Sequence, residues 1–189
     1  MIKCFFDGCC EPINPGGVAS YGVIILKENK KIFKASKLFE SSSVTSNNVA
    51  EYAGFKEILD YLIKNSLQNE EIIIYGDSNL VIQQMFGTWK IKKGFYVPIA
   101  KYCKNILSKF TNLKGQWIPR EENFLADELS KAELLKAGIK FKIQPQDAVL
   151  TDFSVHRSLN ERIKDEISRD DLRDNSFKEG DLKGKTVER

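Results

Sequence analysis

The apolar positions fall first into short strand-like runs and later into helical spacings. Ile2-Lys3-Cys4-Phe5-Phe6 is an apolar run halted by Asp7-Gly8, which predicts a first strand ending at Asp7. Residues 19–26 are β-branched and aromatic, and residues 31–39 alternate Ile or Phe with Lys. The Glu28-Asn29-Lys30 turn between them predicts a hairpin. A Ser/Thr/Asn-rich stretch, 41–48, then leads into a helix opening at Asn47-Asn48 and running to about Asn65. Glu51, Phe55, Ile58, Leu59 and Leu62 share one face of it, so a carboxylate is aimed at the sheet.

Residues 71–75 form an unbroken β-branched strand, the kind buried on both faces and expected at the sheet centre. A helix bearing Leu80, Val81 and Met85 follows Asp77 and stops near Gly87. Pro98 opens another helix, expected to run through Phe110. A fifth strand over 114–118 meets Pro119 and is followed by a helix over 123–136. The order βββαβααβα predicts an α/β domain, a five-stranded mixed sheet flanked by helices, over residues 1–140.

Residues 141–189 form a charged C-terminal extension. Ser158-Leu159-Asn160-Glu161 reads as a capping box, and Leu159, Ile163 and Ile167 predict one amphipathic helix at 159–173. The end, with Gly180 and Gly184, reads as disordered. Residues 1–140 carry 19 basic and 15 acidic side chains and residues 141–189 carry 10 and 11, so a polyanion is expected to meet the first part. No apolar run is long enough to cross a bilayer, which argues against a membrane partner. The chain begins directly with a strand pattern, and Cys4, Cys9, Cys10 and Cys103 lack CxxC spacing. Reduced thiols, a cytoplasmic setting and a monomer are the expectations.

Four acidic residues change the picture: Asp7, Glu51, Asp77 and Asp127, each at the edge of a predicted element. Asp7 or Asp77 alone reads equally well as a turn residue. Brought together, the four would repel one another and lose solvation unless divalent cations held them, which points to metal-dependent phosphodiester chemistry.

Several short motifs carry a family resemblance. They are Phe6-Asp7-Gly8; Asn14-Pro15-Gly16-Gly17 with Tyr21-Gly22; Thr45-Ser46-Asn47-Asn48 leading to Glu51; Tyr75-Gly76-Asp77-Ser78 with Val81 and Gln84; and Ala126-Asp127-Glu128-Leu129. In this order residues 1–137 resemble ribonuclease H of type 1, in its compact form without a basic handle. The resemblance implies a ribonuclease H-like fold and endonucleolytic hydrolysis of the RNA strand of RNA–DNA hybrids, leaving 5′-phosphate and 3′-hydroxyl ends. It implies two Mg²⁺ ions, with Mn²⁺ as substitute, on Asp7, Glu51, Asp77 and Asp127, and Asp7 bridging them. Oxygen-only ligands suit such hard cations.

Recognising RNA requires contacts to 2′-hydroxyls. Gly8, Cys9 and Gly16, in a loop of small residues, with Asn47, Asn48 and Gln84, are the candidates. Asn14 and Thr45 are candidates for holding a phosphate. Trp89, Lys90, Lys92 and Lys93 set an aromatic among cations, suited to the DNA strand's phosphates, with Trp89 or Tyr96 against a sugar. Many family members carry a His before the last Asp. Here the loop is Pro119-Arg120-Glu121-Glu122-Asn123, which leaves Glu121 and Glu122 as candidate proton-transfer helpers, because the sole His, His156, lies in the extension. Two other readings are a nuclease acting on other nucleic acids and a non-catalytic hybrid-binding adaptor.

Overall fold

A computed structural model describes residues 1–141; the helix expected at 159–173 and the end read as disordered lie outside the described residues. The elements are β1 (Ile2–Glu11), β2 (Val18–Lys27), β3 (Lys30–Phe39), α1 (Asn47–Lys64), β4 (Ile72–Gly76), α2 (Asn79–Met85), α3 (Val97–Leu107), β5 (Leu113–Trp117) and α4 (Phe124–Lys136). A single 3₁₀ turn, Arg120–Glu122, precedes α4. The order is the expected βββαβααβα, in one five-stranded sheet arranged β3-β2-β1-β4-β5.

The hairpin forms because Glu28 and Asn29 both take positive φ, 51° and 64°, the two-residue turn whose twist matches that of its strands. The Ser46 hydroxyl starts α1 by accepting from the Val49 N–H. α1 covers one face of the sheet, in a core with Phe6, Val23, Ile25 and Ile74, and α3 packs against α1. α4 covers the other, over Phe5, Ile24 and Tyr75.

Three expectations need correction. β1 does not end at Asp7 but runs to Glu11. Its antiparallel pairing with β2 continues to Glu11↔Val18, whereas the parallel pairing with β4 stops at Phe6↔Gly76. Asp7 therefore marks where one neighbour leaves, and not where the strand stops. Second, the sheet's central strand is β1, with β4 between β1 and β5. Third, α3 closes at Leu107, short of Phe110.

Two helix–strand approaches are closer than any side chain would allow. A Cβ on Gly8 would lie 2.3 Å from the Glu51 backbone nitrogen, and one on Gly22 would lie 2.4 Å from the Ala126 carbonyl oxygen. These contacts bring α1 and α4 down on opposite faces of the sheet near Asp7. Among the described residues no helix is long and apolar enough to cross a membrane. All four cysteines are free and buried.

Candidate active site

Asp7, Glu51 and Asp77 converge from β1, the second turn of α1 and the residue just past β4. Each offers a carboxylate oxygen, and these oxygens lie within 4.8 Å of one another. Asp7 and Glu51 are buried and Asp77 is half-buried. Packing them so closely away from water has an electrostatic cost. Burial first, and then the Asp77 charge, push the Asp7 carboxyl up to about 7. Burial, followed by the charges of Asp7 and Asp77, lifts Glu51 well above the ordinary carboxylate range, against the Gly8 backbone hydrogen bond.

The surrounding contacts leave ligand capacity open. Glu51 Oε2 is buried and has no hydrogen-bond partner. A buried, unpartnered carboxylate oxygen facing two other carboxylates is the donor set a hard divalent cation requires, so these residues fit Mg²⁺ or Mn²⁺.

Asp127 sits differently. Its Oδ1 accepts from Arg120 Nε at 3.1 Å and from a terminal guanidinium nitrogen at 2.7 Å, and its Oδ2 accepts from Lys131 Nζ at 2.5 Å. It is not one of the three converging residues. Its charge nevertheless raises Asp7, and the Arg120 guanidinium lowers both Asp7 and Glu51, so the pair borders the cluster.

Four residues given no role at the sequence level, Asn123, Ser130, Ser20 and Arg120, hold the site together. The Asn123 amide donates to the Phe6 carbonyl and to Asp77 Oδ1, both at 2.8 Å, clamping β1 to the residue after β4. The buried Ser130 hydroxyl donates to Asp7 and also lies 2.9 Å from the Asp127 carbonyl, and the Ser20 hydroxyl donates to the Ser130 carbonyl. Arg120 was visible only as one residue of a charged loop. None of these had a local signal, because Ser130 and Asp7 are 123 positions apart.

The other candidates separate into surface and interior. Asn14, Asn48, Trp89, Lys90, Lys92 and Lys93 are exposed, and Asn47 and Gly16 are half-buried. Asn14 Oδ1 accepts from the Asn47 N–H at 3.0 Å, tying the small-residue loop to the start of α1. Gly8 and Cys9 are buried within β1. The Thr45 hydroxyl is buried and within 2.7 Å of the carbonyls of Gly17 and Ser42, so it braces the loop instead of facing a phosphate.

Gln84 is also interior. It accepts from the Tyr52 hydroxyl at 2.5 Å and donates to the Lys90 carbonyl at 3.0 Å, while Tyr52 stacks on Tyr96. Its amide supports the Trp89–Lys93 loop from behind, and the residue also lines the cavity beside that loop. The loop borders an open cavity of about 560 Å³, walled by Trp89, Lys90, Lys92, Lys93 and Tyr96. Glu121 and Glu122 occupy the 3₁₀ turn and are not among the converging carboxylates.

The strand order and the acidic cluster at the end of the β1–β4 pair define a ribonuclease H-like nuclease fold. Residues 5–133 match the family described as reverse transcriptase-like, and the chain belongs to this ribonuclease H-like family. It is 33% identical over 118 residues to the bifunctional protein Rv2228c of Mycobacterium tuberculosis, covering 62% of this chain and 31% of that protein. The chain thus spans about a third of the length of Rv2228c and of its two like mycobacterial relatives. The solved N-terminal RNase H domain of Rv2228c superposes with a TM-score of 0.64 at 27% identity, covering 72% of this chain and 95% of that one. LC11-RNase H1, solved in complex with an RNA/DNA hybrid, gives 0.64 at 31% identity, covering 72% and 99%.

Proposed function

We propose that the chain is an endonuclease that hydrolyses the RNA strand of RNA–DNA hybrids, leaving 5′-phosphate and 3′-hydroxyl ends. The observation that carries this reading is the convergence of Asp7, Glu51 and Asp77 oxygens within 4.8 Å, with Glu51 Oε2 unpartnered. The hybrid seen bound to LC11-RNase H1 supports the substrate class. Asp7, Glu51 and Asp77 would hold two divalent cations, with Asp127 as the fourth carboxylate once Arg120 and Lys131 release it. When bound, such ions neutralise the scissile phosphate and lower the pKa of the attacking water.

The chain's own residues supply orientation. Ser130 fixes the Asp7 carboxylate, Asn123 fixes Asp77, and the Gly8 N–H steadies Glu51. Asn48 and the exposed edge of the 14–17 loop are placed to read 2′-hydroxyls, and Lys90, Lys92 and Lys93 to meet the DNA strand's phosphates.

The test is cleavage of an end-labelled hybrid in Mg²⁺, Mn²⁺ or EDTA beside duplex DNA and duplex RNA. Cuts confined to the hybrid's RNA strand and abolished by EDTA are expected. Tight hybrid binding without cleavage in either metal would sink the reading and leave an adaptor. Gln84→Leu is expected to raise KM for the hybrid about fivefold, equivalent to ~1 kcal/mol of lost hydrogen bonding, with kcat little changed. Equal loss in kcat would show that Gln84 acts at the reacting centre instead of behind the loop.

A further inference from the structure

β5 ends on Trp117, a residue 49% exposed although its side chain touches the Asp77 backbone. Alternation along the strand sets which way it points. Ile118, the next residue, is buried in the core beneath α4 with Tyr75 and Leu125. Trp117 and Gly115 therefore face the other side. There a Cβ on Gly115 would lie 2.0 Å from the Phe86 ring, so β5 runs close beneath the end of α2. Trp117, two residues on, reaches back to Asp77, just before that helix begins.

A single aromatic on a surface calls for no explanation by itself, but the way this one is anchored does. Trp117 is the register partner of Gly76, and the Ile118 N–H donates to the Gly76 carbonyl at 3.1 Å, so the ladder runs past the side chain. The indole Nε1–H donates to the Asp77 carbonyl at 3.0 Å. Asp77 is thus gripped twice, at its carbonyl by Trp117 and at its carboxylate by Asn123. One edge of the indole is committed to that bond, and the rest of a flat apolar ring is left in water beside the carboxylate cluster. Leaving it there forgoes much of the stabilisation that burying a tryptophan brings. That loss is offset if an apolar surface covers the ring while the site is in use.

Position limits what that surface is. A scissile phosphate must meet the oxygens of Asp7, Glu51 and Asp77, so the strand that lies against Trp117 is the strand being cut. In a hybrid duplex its bases are paired, and drawing one out to stack on a ring is costly. Its sugars stay accessible along the wide, shallow minor groove. We propose that the exposed face of Trp117 packs against the sugar of a nucleotide next to the scissile phosphate and fixes the register of the cleaved strand. One side chain then holds both the backbone of a cluster carboxylate and the strand on which that cluster acts. This assignment rests on the nuclease reading above.

The chain has two tryptophans, Trp89 and Trp117, so Trp89→Phe leaves Trp117 as the sole indole reporter. In an Asp7→Asn background, which slows cleavage, the anisotropy of a labelled hybrid reports binding and the indole emission reports the ring. At saturating hybrid, acrylamide should quench Trp117 about twofold less than in the free protein, following the same titration curve as the anisotropy. Two further variants separate the ring from its hydrogen bond. Trp117→Gln keeps an N–H donor without a ring and should raise KM for the hybrid about tenfold, the scale of one lost aromatic contact, with kcat little changed. Trp117→Phe keeps a ring without a donor and should stay within about threefold of the parent KM. The reverse order of the two variants, or a fall in kcat with KM unmoved, would make Trp117 a brace for Asp77 alone and overturn the proposal. Strong quenching of the emission by the hybrid itself would place the ring on a base and overturn it too. Acrylamide quenching that ignores a bound hybrid would also overturn it, while leaving the nuclease reading intact. A hybrid neither bound nor cut by the unaltered chain would overturn both.

Discussion

Asp7→Asn is expected to cut hybrid cleavage by roughly 10³-fold or more, the scale of losing several kcal/mol of cation-mediated stabilisation, and to make the metal-free protein more stable. The two effects have one origin. Asp7 is held among Glu51 and Asp77 with its carboxyl pushed up to about 7 by burial and by the Asp77 charge. A carboxyl whose folded pKa lies above its unfolded value of about 3.9 favours folding while protonated. That contribution is fully present below about pH 4 and is lost as pH rises through about 7. In EDTA the unaltered protein should therefore melt at lower temperature at pH 7.5 than at pH 5, by an amount worth up to about 4 kcal/mol for this group. An amide in place of the carboxylate has no charge to confine, so the variant should show a flatter profile and the higher melting temperature at pH 7.5. Saturating Mg²⁺ should stabilise the unaltered protein and leave the variant nearly unmoved. A variant that melts lower than its parent in EDTA at pH 7.5 would show that the cluster is not under electrostatic strain.

Gly8→Ala should be about as damaging to the fold as Asp7→Asn is to catalysis. The new Cβ would fall 2.3 Å from the Glu51 nitrogen, 2.7 Å from the Ala50 carbonyl carbon and 2.8 Å from the Glu51 Cα. All three are backbone atoms of α1, so no side-chain rotation relieves the contact and the helix must move off the sheet. Overpacking of this kind costs about 3 kcal/mol, or roughly 10 °C in melting temperature for a domain of this size. Glu51 would move with the helix, so activity should fall even below the melting transition. An alanine variant with parental stability and activity would mean that α1 tolerates a wider separation from β1.

Most of the architecture was legible because its signals are local. The Asn47-Asn48 opening and the 3.6-residue spacing of Phe55, Ile58, Leu59 and Leu62 specify α1, and the Ile72–Tyr75 run specifies β4. Asp7-Gly8 misled because both residues favour turns, whereas β2 keeps pairing beyond them. The three converging carboxylates were legible as residue types after strands and on a sheet-facing helix. Their supports were not. Asn123 serves Asp77 from 46 positions away, and Ser130 serves Asp7 from further still. The burial of Gln84 was not legible because α2 has only 7 residues, too short for spacing to say which polar side chain turns inward. Asp127 was read with the other three; Lys131 meets it at i,i+4 within α4, but its engagement with Arg120 depends on the 3₁₀ turn, which carries no periodic signal.

The order in which the chain supplies its parts has a consequence for biosynthesis. Asp7 and Glu51 leave the ribosome early, but β1 gains its parallel neighbour only once Gly76 has followed. The clamp on Asp77 then waits for Asn123. A nascent chain interrupted anywhere before α4 therefore carries carboxylates without the geometry that gathers them. The centre is completed only after nearly the whole described domain has been made, so truncated products of translation should be unable to attack nucleic acid.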